Sequence, residues 1–489
     1  MRLCRKRNDR EQIQQTMKKG SILLLGLLWS LSIMGQNLKL DYEPGQPLIL
    51  EHPTDGYSLF LFFPKTVYKN QVYTCKMYKV DPVNGQVLGE SSAKIQLDGK
   101  DDSKVRVLTK QSQADVAFFA IENNDECTAY KLDWATLSVT KTDHRKPLEK
   151  QRFVSGVSNG ERGTVIAYQN GKKEDFVLMY TFDESGQLKE HKFAVSKGDS
   201  ENFDKIFKKF TAFSSSESYR PLMVTYGKEH DPEAASRRPK LYAGPQQVWM
   251  TFETEVANYQ VMRLFTFDLE KDSVFVKKYT YGNGLRGEDI KGSSYIFDQK
   301  IFQVATTNSS LHIVIRSLAD GAVLKQYNYD NDADKLTFAN SPIFMPGRGS
   351  FGIEKEYESP KKFFRRFRAF KPSILVRKSG DDYLMCIGGF EEVNTGPSTM
   401  FGAPGAPMTM TGGSSYERVC SFYSAVNAST LEVSPNKYGR TLVDYYAESM
   451  FGKGNLSEEN LLFIGQQHYN GHYDKSSDQY KVNRIGDKN

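Results

Sequence analysis

The sequence has few of the residues on which metal and nucleophile chemistry depends. Its 489 residues include five Cys and seven His, and no Cys-x-x-Cys pair occurs, so zinc and thioredoxin-type chemistry have no support. Gly-x-Ser-x-Gly, His-Glu-x-x-His and a phosphate-binding loop are absent, and Gly347 to Gly352 lacks the strand–helix context of a nucleotide motif. Carboxylate pairs for glycoside cleavage cannot be recognised in one sequence, so a hydrolase is not excluded.

Trp and net charge are also scarce. Only three Trp accompany 27 Tyr and 31 Phe, a composition that favours β-sheet over helix. Of the formal charge of +6, residues 1–35 carry +5, and the rest of the chain carries +1. The chain beyond residue 35 is nearly neutral, which argues against general nucleic-acid binding.

One apolar run near the N-terminus predicts a targeting segment. Ile22 to Met34 follows Lys18-Lys19 and, at 13 residues, is too short to span a bilayer comfortably. We interpret residues 1–35 as a signal peptide, with residues 1–16 an upstream extension from a mis-set start codon. Cleavage at Gly35-Gln36 predicts a protein that is periplasmic, outer-membrane-associated or extracellular. An uncleaved membrane anchor is the alternative.

A four-residue motif recurs along the chain. It consists of an aromatic residue, any residue, an apolar residue and Asp. Its Asp residues at 81, 133 and 183 are 52 and 50 residues apart, and the next, at 268, follows after 85. A fifth copy, Leu311 to Leu324, lacks the Asp, and a sixth, Ser421 to Leu431, is degenerate. The gap between them predicts an insertion or a hidden repeat. We interpret the Asp residues as acceptors for the backbone N–H groups of the following turns.

Each copy contains three strand-like runs separated by turn residues, as in Gly163 to Gln169, Phe176 to Phe182 and Gln187 to Phe193. A period near 50 is typical of a four-stranded propeller blade. The chain therefore resembles secreted β-propeller repeat proteins in architecture, without a named family. The resemblance implies an all-β fold with a single β-propeller of about seven four-stranded blades, six or eight being alternatives.

The chain ends predict how such a ring closes. Leu38 to Tyr42 is a lone strand-like run, and Leu461 to His468 with Gln479 to Ile485 forms a hairpin that lacks an outer strand. We expect the N-terminal strand to complete this last blade, which removes an exposed sheet edge. The predicted domain is 36–489, with insertions at about 197–244, 355–380 and 391–416.

Three groups of residues are weak candidates for bonds or ligands. Cys386 and Cys420 lie on one predicted hairpin and are candidates for a disulfide, although buried free thiols are the default. The alternating acids Asp330, Asp332 and Asp334 resemble a calcium loop but lack its Gly and Glu, so a solvated turn is favoured. A His-x-x-x-His pair near the C-terminus is interrupted by a turn signal. The sequence thus predicts no metal site and no cofactor.

The segment 361–371 has the most unusual local composition, with six cations and four Phe among eleven residues. It predicts a surface for an anionic membrane, an acidic glycan or lipopolysaccharide. The alternative is a segment whose Phe rings dock on the propeller while its charges stay in water. The candidate binding residues are Lys361, Lys362, Phe363, Phe364, Arg365, Arg366, Phe367 and Arg368.

A second candidate surface is the segment 393–416, which is rich in Gly, Pro, Ser, Thr and Met. It cannot form a core of its own. Phe401, Met408 and Met410 give it an adaptable apolar surface that either engages a partner protein or has no fixed structure.

Two functional hypotheses follow from the sequence. The first is an exported, non-catalytic binding or scaffold propeller that engages a protein or another component of the cell envelope, and no nucleic acid. The second is a hydrolase that acts on glycan or peptide from the central channel. A cluster of carboxylates or a Ser/His pair at one mouth of the channel would favour the second hypothesis.

Overall fold

The computed structural model describes residues 36–67, 72–96, 103–123, 126–200, 203, 221–225, 228–230, 232–237, 239–256, 259–281, 290–307, 310–330, 339–345, 355–357, 363, 370–394, 415–436, 438, 442, 460–465 and 467–485. These residues form seven sheets of four or five strands and one short helix, α1 (Pro232–Arg237). The predicted all-β class is confirmed. No helix in the described part of the chain has the length and apolar composition needed to cross a membrane.

Sheets 1 to 3 use the first 160 or so residues of the described chain. In hydrogen-bonded order, sheet 1 contains β2 (Leu48–Glu51), β3 (Ser58–Leu61), β5 (Val72–Val80) and β6 (Val87–Gln96). Sheet 2 contains β4 (Thr66–Val67), β7 (Ser103–Ser112), β8 (Val116–Asn123), β9 (Glu126–Asp133) and β10 (Val139–Arg145). Sheet 3 contains β11 (Gln151–Ser158), β12 (Gly163–Gln169), β13 (Glu174–Phe182) and β14 (Leu188–Ser196).

Sheets 4 to 7 complete the architecture. Sheet 4 contains β15 (Leu222–Val224), β16 (Lys240–Ala243), β17 (Gln247–Val256), β18 (Tyr259–Asp268) and β19 (Ser273–Thr280). Sheet 5 contains β20 (Lys291–Phe297), β21 (Lys300–Thr306), β22 (Ser310–Ser317) and β23 (Val323–Asp330). Sheet 6 contains β25 (Lys355–Tyr357), β24 (Ile343–Met345), β28 (Ser415–Asn427), β27 (Asp382–Asn394) and β26 (Lys371–Ser379). Sheet 7 contains β1 (Gln36–Lys39), β31 (Gln479–Arg484), β30 (Gln467–Asp474) and β29 (Leu461–Ile464).

Successive sheets pack face to face through their alternating apolar residues. Because side chains on a strand alternate between its two faces, neighbouring residues reach opposite sheets. Phe118 stacks on Phe182 of sheet 3, with ring centroids 5.6 Å apart, whereas Phe119 lies 6.0 Å from Phe63 beside sheet 1. Both Phe side chains on β8 are fully buried. A strand with two buried faces is therefore apolar at nearly every position, as β8 is.

Five hydrophobic clusters join the sheets in chain order. They connect sheets 7 and 1, sheets 1 and 2, sheets 2 and 3, sheets 3 and 4, and sheets 4, 5 and 6. Between sheets 6 and 7 the described residues show a sixth, small cluster, in which Leu442 from the segment after sheet 6 packs with Leu461 of β29 and Ile485. Polar contacts accompany this cluster at the seam, and the closure of the seven sheets into one sealed ring stays a prediction.

The N-terminal strand lies where the sequence predicts it. β1 pairs antiparallel with β31, and Leu38 lies opposite Tyr480. Leu38 and Leu40 are buried in the cluster that joins sheets 7 and 1. The C-terminal part contributes three strands rather than the single hairpin that we predicted, because Leu461 to His468 divides between β29 and β30.

The predicted insertions need corrected boundaries. Of the segment 355–380, residues 371–379 form β26, an edge strand of sheet 6. Of the segment 197–244, β15 and β16 belong to sheet 4, where they pair in parallel, so no further blade begins there. β27 and β28 remain paired as far as Asn394 and Ser415, which leaves 395–414 outside the described residues. The gap before the sixth repeat holds no extra sheet in the described part of the chain, because β24 supplies a strand of sheet 6 ahead of β26.

The repeated Asp residues cap turns, as predicted. The carboxylate of Asp183 accepts the N–H groups of Ser185 and Gln187 at 2.8 and 3.0 Å. Asp81, Asp133 and Asp268 accept N–H groups of their own following turns. In the degenerate sixth repeat, Asn427 accepts an N–H group of its turn in the same way, and in sheet 7 Asp474 does so after β30. These side chains hold turns.

Asp382 anchors the segment that follows sheet 6. Its Oδ2 accepts hydrogen bonds from Ser434 (2.6 Å), Asn436 (2.9 Å) and Tyr438 (2.8 Å). Burial by itself would raise the pKa of this carboxyl, but the three hydrogen bonds outweigh burial and hold the pKa below its usual value.

We predict that Asp382→Asn lowers the free energy of unfolding by about 2 kcal/mol at pH 7, because an amide oxygen is a weaker acceptor than a carboxylate. The folded-state pKa is depressed, so the stabilisation is present above the ordinary carboxyl pKa of about 4 and is lost as the pH falls through the folded-state value. Urea denaturation at pH 7 and at acid pH measures both effects. Asp381→Asn, at the exposed neighbouring position, is the control, and an equal loss in both variants would contradict the prediction.

Candidate functional site

One cavity is lined by residues of all seven sheets. Its volume is about 1390 Å³, and most of its lining comes from one strand of each sheet and from the residues next to that strand. β2, β7, β11, β15, β26 and β29 all contribute, and Phe297 at the end of β20 represents sheet 5. A cavity at the centre of the sheets is the usual place for a ligand in such a fold.

Charged side chains reach this cavity from different sheets. Among the described residues of the lining, the cations outnumber the carboxylates by five to three. The cations are Arg106, Lys110, Lys228, Arg377 and Lys378, and the carboxylates are Glu51, Glu161 and Glu229.

Glu229 occupies the polar seam between sheets 6 and 7. Its Oε1 forms an ion pair with Arg377 of β26, and its Oε2 accepts the N–H of Leu442 at 3.0 Å. Its own backbone N–H donates to Nε2 of His468 on β30 at 3.1 Å. The Glu229 side chain is only 10% exposed. This residue therefore connects sheet 6 to sheet 7 beside the small cluster of Leu442 and Leu461.

His468 is neutral in this arrangement. Burial lowers its pKa to about 3, and the nearby positive charges of Lys228 and Arg377 lower it further in the same direction. Because Nε2 accepts the Glu229 N–H, that nitrogen is not available to take a proton from a substrate.

We predict a pH dependence of stability from His468. A folded-state pKa of about 3 lies below the ordinary value of about 6.5, so the unfolded chain binds a proton that the folded chain does not. Stability should fall as the pH drops from about 6.5 towards 3, by up to about 1.4 kcal/mol per pH unit. Gln keeps an acceptor but does not titrate, so His468→Gln should lose this component in urea denaturation.

Proton NMR gives an independent check of the same residue. The ring signals of His468 should stay those of a neutral imidazole from pH 8 to pH 4. A titration midpoint between pH 6 and 7 would show that the ring is not held as described.

Lys110 of β7 also lines the cavity. Burial lowers its pKa, the neighbouring charge of Lys228 lowers it further, and Glu51 opposes both effects. Its ammonium group donates a hydrogen bond to the carbonyl oxygen of Ile49. In the described part of the chain no carboxylate lies within ion-pair distance of Lys110.

Of the eight candidate binding residues in the segment 361–371, the structure describes only Phe363. Phe363 is fully buried, and its ring centroid lies 5.3 Å from that of Phe422 in sheet 6. For Phe363, this agrees with the alternative interpretation of the segment, in which the Phe rings dock on the sheets. Lys361, Lys362, Phe364, Arg365, Arg366, Phe367 and Arg368 lie outside the described residues, as do Phe401, Met408 and Met410 of the second surface. These two surfaces stay predictions.

The His-x-x-x-His pair is not a metal site. His468 and His472 lie four residues apart on β30, which separates them by roughly 13 Å along the strand. The carboxylate of Asp474 is engaged by Lys481 and by Ser476 of the turn. Within the described ranges, no group of three or more His, Cys, Asp or Glu side chains could share a metal ion. Of the alternating acids, only Asp330 is described.

The four described cysteines are buried and form no disulfide with one another. Cys386 lies opposite Tyr423, whereas Cys420 lies opposite Gly389, so this register does not bring the two thiols together. Burial raises the pKa of the Cys75 thiol to about 12, which makes it a poor nucleophile at neutral pH.

No protein-family model matches the sequence, and no curated protein sequence matches it either. Among solved structures, the chain is similar to an oligogalacturonate lyase in complex with manganese (9% identity, 92% of this chain, 98% of that chain, TM-score 0.33). It is also similar to the WD40 domain of SCAP from fission yeast (10%, 91%, 84%, 0.29) and to the Dos1 propeller (11%, 83%, 96%, 0.29). Similarities this low carry no argument about what this chain does.

Proposed function

We propose that this chain is an exported, non-catalytic binding protein of the cell envelope that holds its ligand in the central cavity. The observation that supports the proposal most is the state of Glu229 and His468. General acid–base catalysis needs a group that can exchange a proton with the substrate. Both oxygens of Glu229 and Nε2 of His468 are already used to connect sheets 6 and 7. These two groups support structure, and the cavity around them is free to bind.

A hydrolase remains the second candidate because two other carboxylates line the same cavity. Glu51 and Glu161 are both exposed, on sheet 1 and in the loop after β11. Glycoside cleavage requires a pair of carboxyl groups that flank the scissile bond. One oxygen of Glu51 accepts the N–H of Gly465 at 3.3 Å, which leaves the other oxygen for chemistry.

A turnover assay separates the two candidates. The protein and a Glu51→Gln/Glu161→Gln variant are incubated with a panel of glycans and peptides. The binding function predicts no turnover above background in either protein, together with stabilisation of the wild type against heat by at least one compound. Turnover by the wild type that disappears in the double variant would overturn the binding function in favour of the hydrolase.

The proposed location and partners rest on the sequence alone. An expressed full-length chain should be recovered outside the cytoplasm with a mature N-terminus near Gln36, as measured by mass spectrometry. Deleting 395–414, which lies between the paired ends of β27 and β28, or neutralising the cations of 361–371, should abolish association with a protein partner or an anionic membrane while thermal stability stays nearly unchanged. Undiminished association in both variants would contradict a role for these two segments.

A further inference from the structure

A second polar site lies between sheets 4 and 5, outside the lining of the central cavity. Lys240 of β16 and Thr251 of β17 are register partners, so their side chains lie on the same face of sheet 4. Tyr242 is two residues after Lys240, and side chains two residues apart on a strand share a face. Glu253 is placed on this face in the same way, two residues after Thr251. Lys240 and Thr251 are fully buried, and Tyr242 is nearly so.

The carboxylate of Glu253 already has its hydrogen-bond donors. Its Oε1 accepts hydrogen bonds from the Tyr281 hydroxyl (2.9 Å), the Ser294 N–H (3.0 Å) and the Ser294 hydroxyl (2.9 Å). Burial raises the pKa of Tyr281 well above its usual value, so this hydroxyl keeps its proton and donates at neutral pH. Since Ser294 belongs to β20, the carboxylate of Glu253 connects sheet 4 to sheet 5.

The ammonium group of Lys240 is not satisfied by this carboxylate. Its Nζ lies 4.0 Å from Oε1 of Glu253, whereas a charge-assisted hydrogen bond is about 2.7–2.9 Å long. Nζ is enclosed and makes no hydrogen bond to any residue in the described part of the chain. Burial lowers the pKa of Lys240, and the charge of Glu253 opposes that effect. A buried amine or ammonium group without a hydrogen bond is costly, because it has lost water and gained no partner.

Two hydroxyl groups on the same face also lack a full set of partners. Thr251 lies directly opposite Lys240, and Tyr242 occupies the diagonal position from Thr251, which is within reach of a tyrosine side chain. Their oxygens are enclosed, and neither makes a hydrogen bond of normal geometry to a described residue. Burial raises the pKa of Tyr242, and the Thr251 hydroxyl opposes this effect from nearby. Three buried polar groups therefore face the same space between the sheets.

From these positions we infer that this site binds one internal water molecule, which accepts a hydrogen bond from Nζ of Lys240 and lies within hydrogen-bond distance of the hydroxyls of Thr251 and Tyr242. Internal waters typically make about three hydrogen bonds to buried polar groups that the protein leaves unsatisfied. An anion such as chloride also suits an ammonium group and two hydroxyl donors, but the nearby carboxylate of Glu253 repels it. Water both accepts and donates, so it suits a site that holds an ammonium group beside a carboxylate.

Oxygen-17 magnetic relaxation dispersion on the full-length protein tests the inference, because it counts the water molecules that remain inside a protein for longer than it tumbles. Lys240→Met removes the ammonium group at nearly constant length, and Thr251→Val removes the hydroxyl at nearly constant shape. Each variant should hold about one long-lived water fewer than the wild type. Lys189→Met, at an exposed position on β14, is the matched control and should leave the number unchanged.

A crystal structure of the wild-type protein decides the matter even if both variants fail to fold. We expect a water oxygen about 2.7–3.2 Å from Nζ of Lys240 and from Oγ1 of Thr251. A direct hydrogen bond between Lys240 and Glu253, with no water beside it, would overturn the inference. An unchanged number of long-lived waters in a folded Lys240→Met or Thr251→Val protein would also overturn it. Anomalous density at this position in crystals soaked in bromide would replace the water by an anion.

Discussion

Replacing Leu38 and Leu40 by alanine should lower the free energy of unfolding by roughly 4–8 kcal/mol, the largest stability loss that we expect from two side chains in this protein. Both leucines are at most 2% exposed, and they fill the cluster that joins sheet 7 to sheet 1. Their loss leaves a cavity between the two sheets and removes apolar contacts of the N-terminal strand, which is otherwise held by its pairing with β31. Urea denaturation followed by intrinsic fluorescence measures the change.

The same strand offers a matched control. Asn37 and Lys39 alternate with the leucines and are exposed, so Asn37→Ala/Lys39→Ala should change stability by less than about 1 kcal/mol. If the leucine variant were no less stable than this control, β1 would not be holding sheets 7 and 1 together.

Glu229→Gln should be the most damaging single change at the cavity, lowering the free energy of unfolding by about 2–4 kcal/mol. The amide still accepts the N–H of Leu442, but it leaves the guanidinium of Arg377 without its counter-charge. Since the Arg377 side chain is 31% exposed, water offsets part of this cost. The measurement is again urea denaturation at neutral pH and moderate salt.

A double-mutant cycle isolates the pair. Arg377→Gln removes the cation, and the Glu229→Gln/Arg377→Gln variant should be more stable than the sum of the two single losses predicts, because neither charge is then left alone. Lys378→Gln, beside Arg377 but exposed and without an ion pair in the described part of the chain, should be nearly neutral. A coupling energy near zero would mean that the ion pair does not hold the seam between sheets 6 and 7.

The architecture could be predicted because the repeat is local. Asp133 and Asp183 each close a turn made by the next few residues, so their signal survives in the sequence. The sixth repeat is hard to place from the sequence because Asn427 replaces Asp as the turn acceptor. In addition, β24 precedes β26 in the chain and is already a strand of sheet 6. Local turn chemistry thus revealed the blades, whereas the order of strands in sheet 6 depends on long-range pairing.

The candidate site could not be predicted because its members are distant in sequence. Glu229, Arg377 and His468 come together only when sheets 4, 6 and 7 are packed around the cavity, and no spacing links them. The sequence shows only that His468 and His472 are close along the chain, which makes them a weak candidate for a metal site. In the structure, His468 on β30 instead accepts the backbone N–H of Glu229. Lys110 lies in a strand that contains no motif and no unusual composition, so the sequence does not mark it as a site residue.

The pairing of the two chain ends is tested most directly by a disulfide between Asn37→Cys and Lys481→Cys, which are register partners on β1 and β31. The described native cysteines are buried and should not compete under mild oxidation. We predict one intramolecular disulfide, found by peptide mass mapping of the monomer, and a much lower yield for Lys39→Cys with Lys481→Cys, which is displaced by two residues. Two freely alkylated thiols, or a disulfide found only between molecules, would contradict a propeller sealed by its own termini.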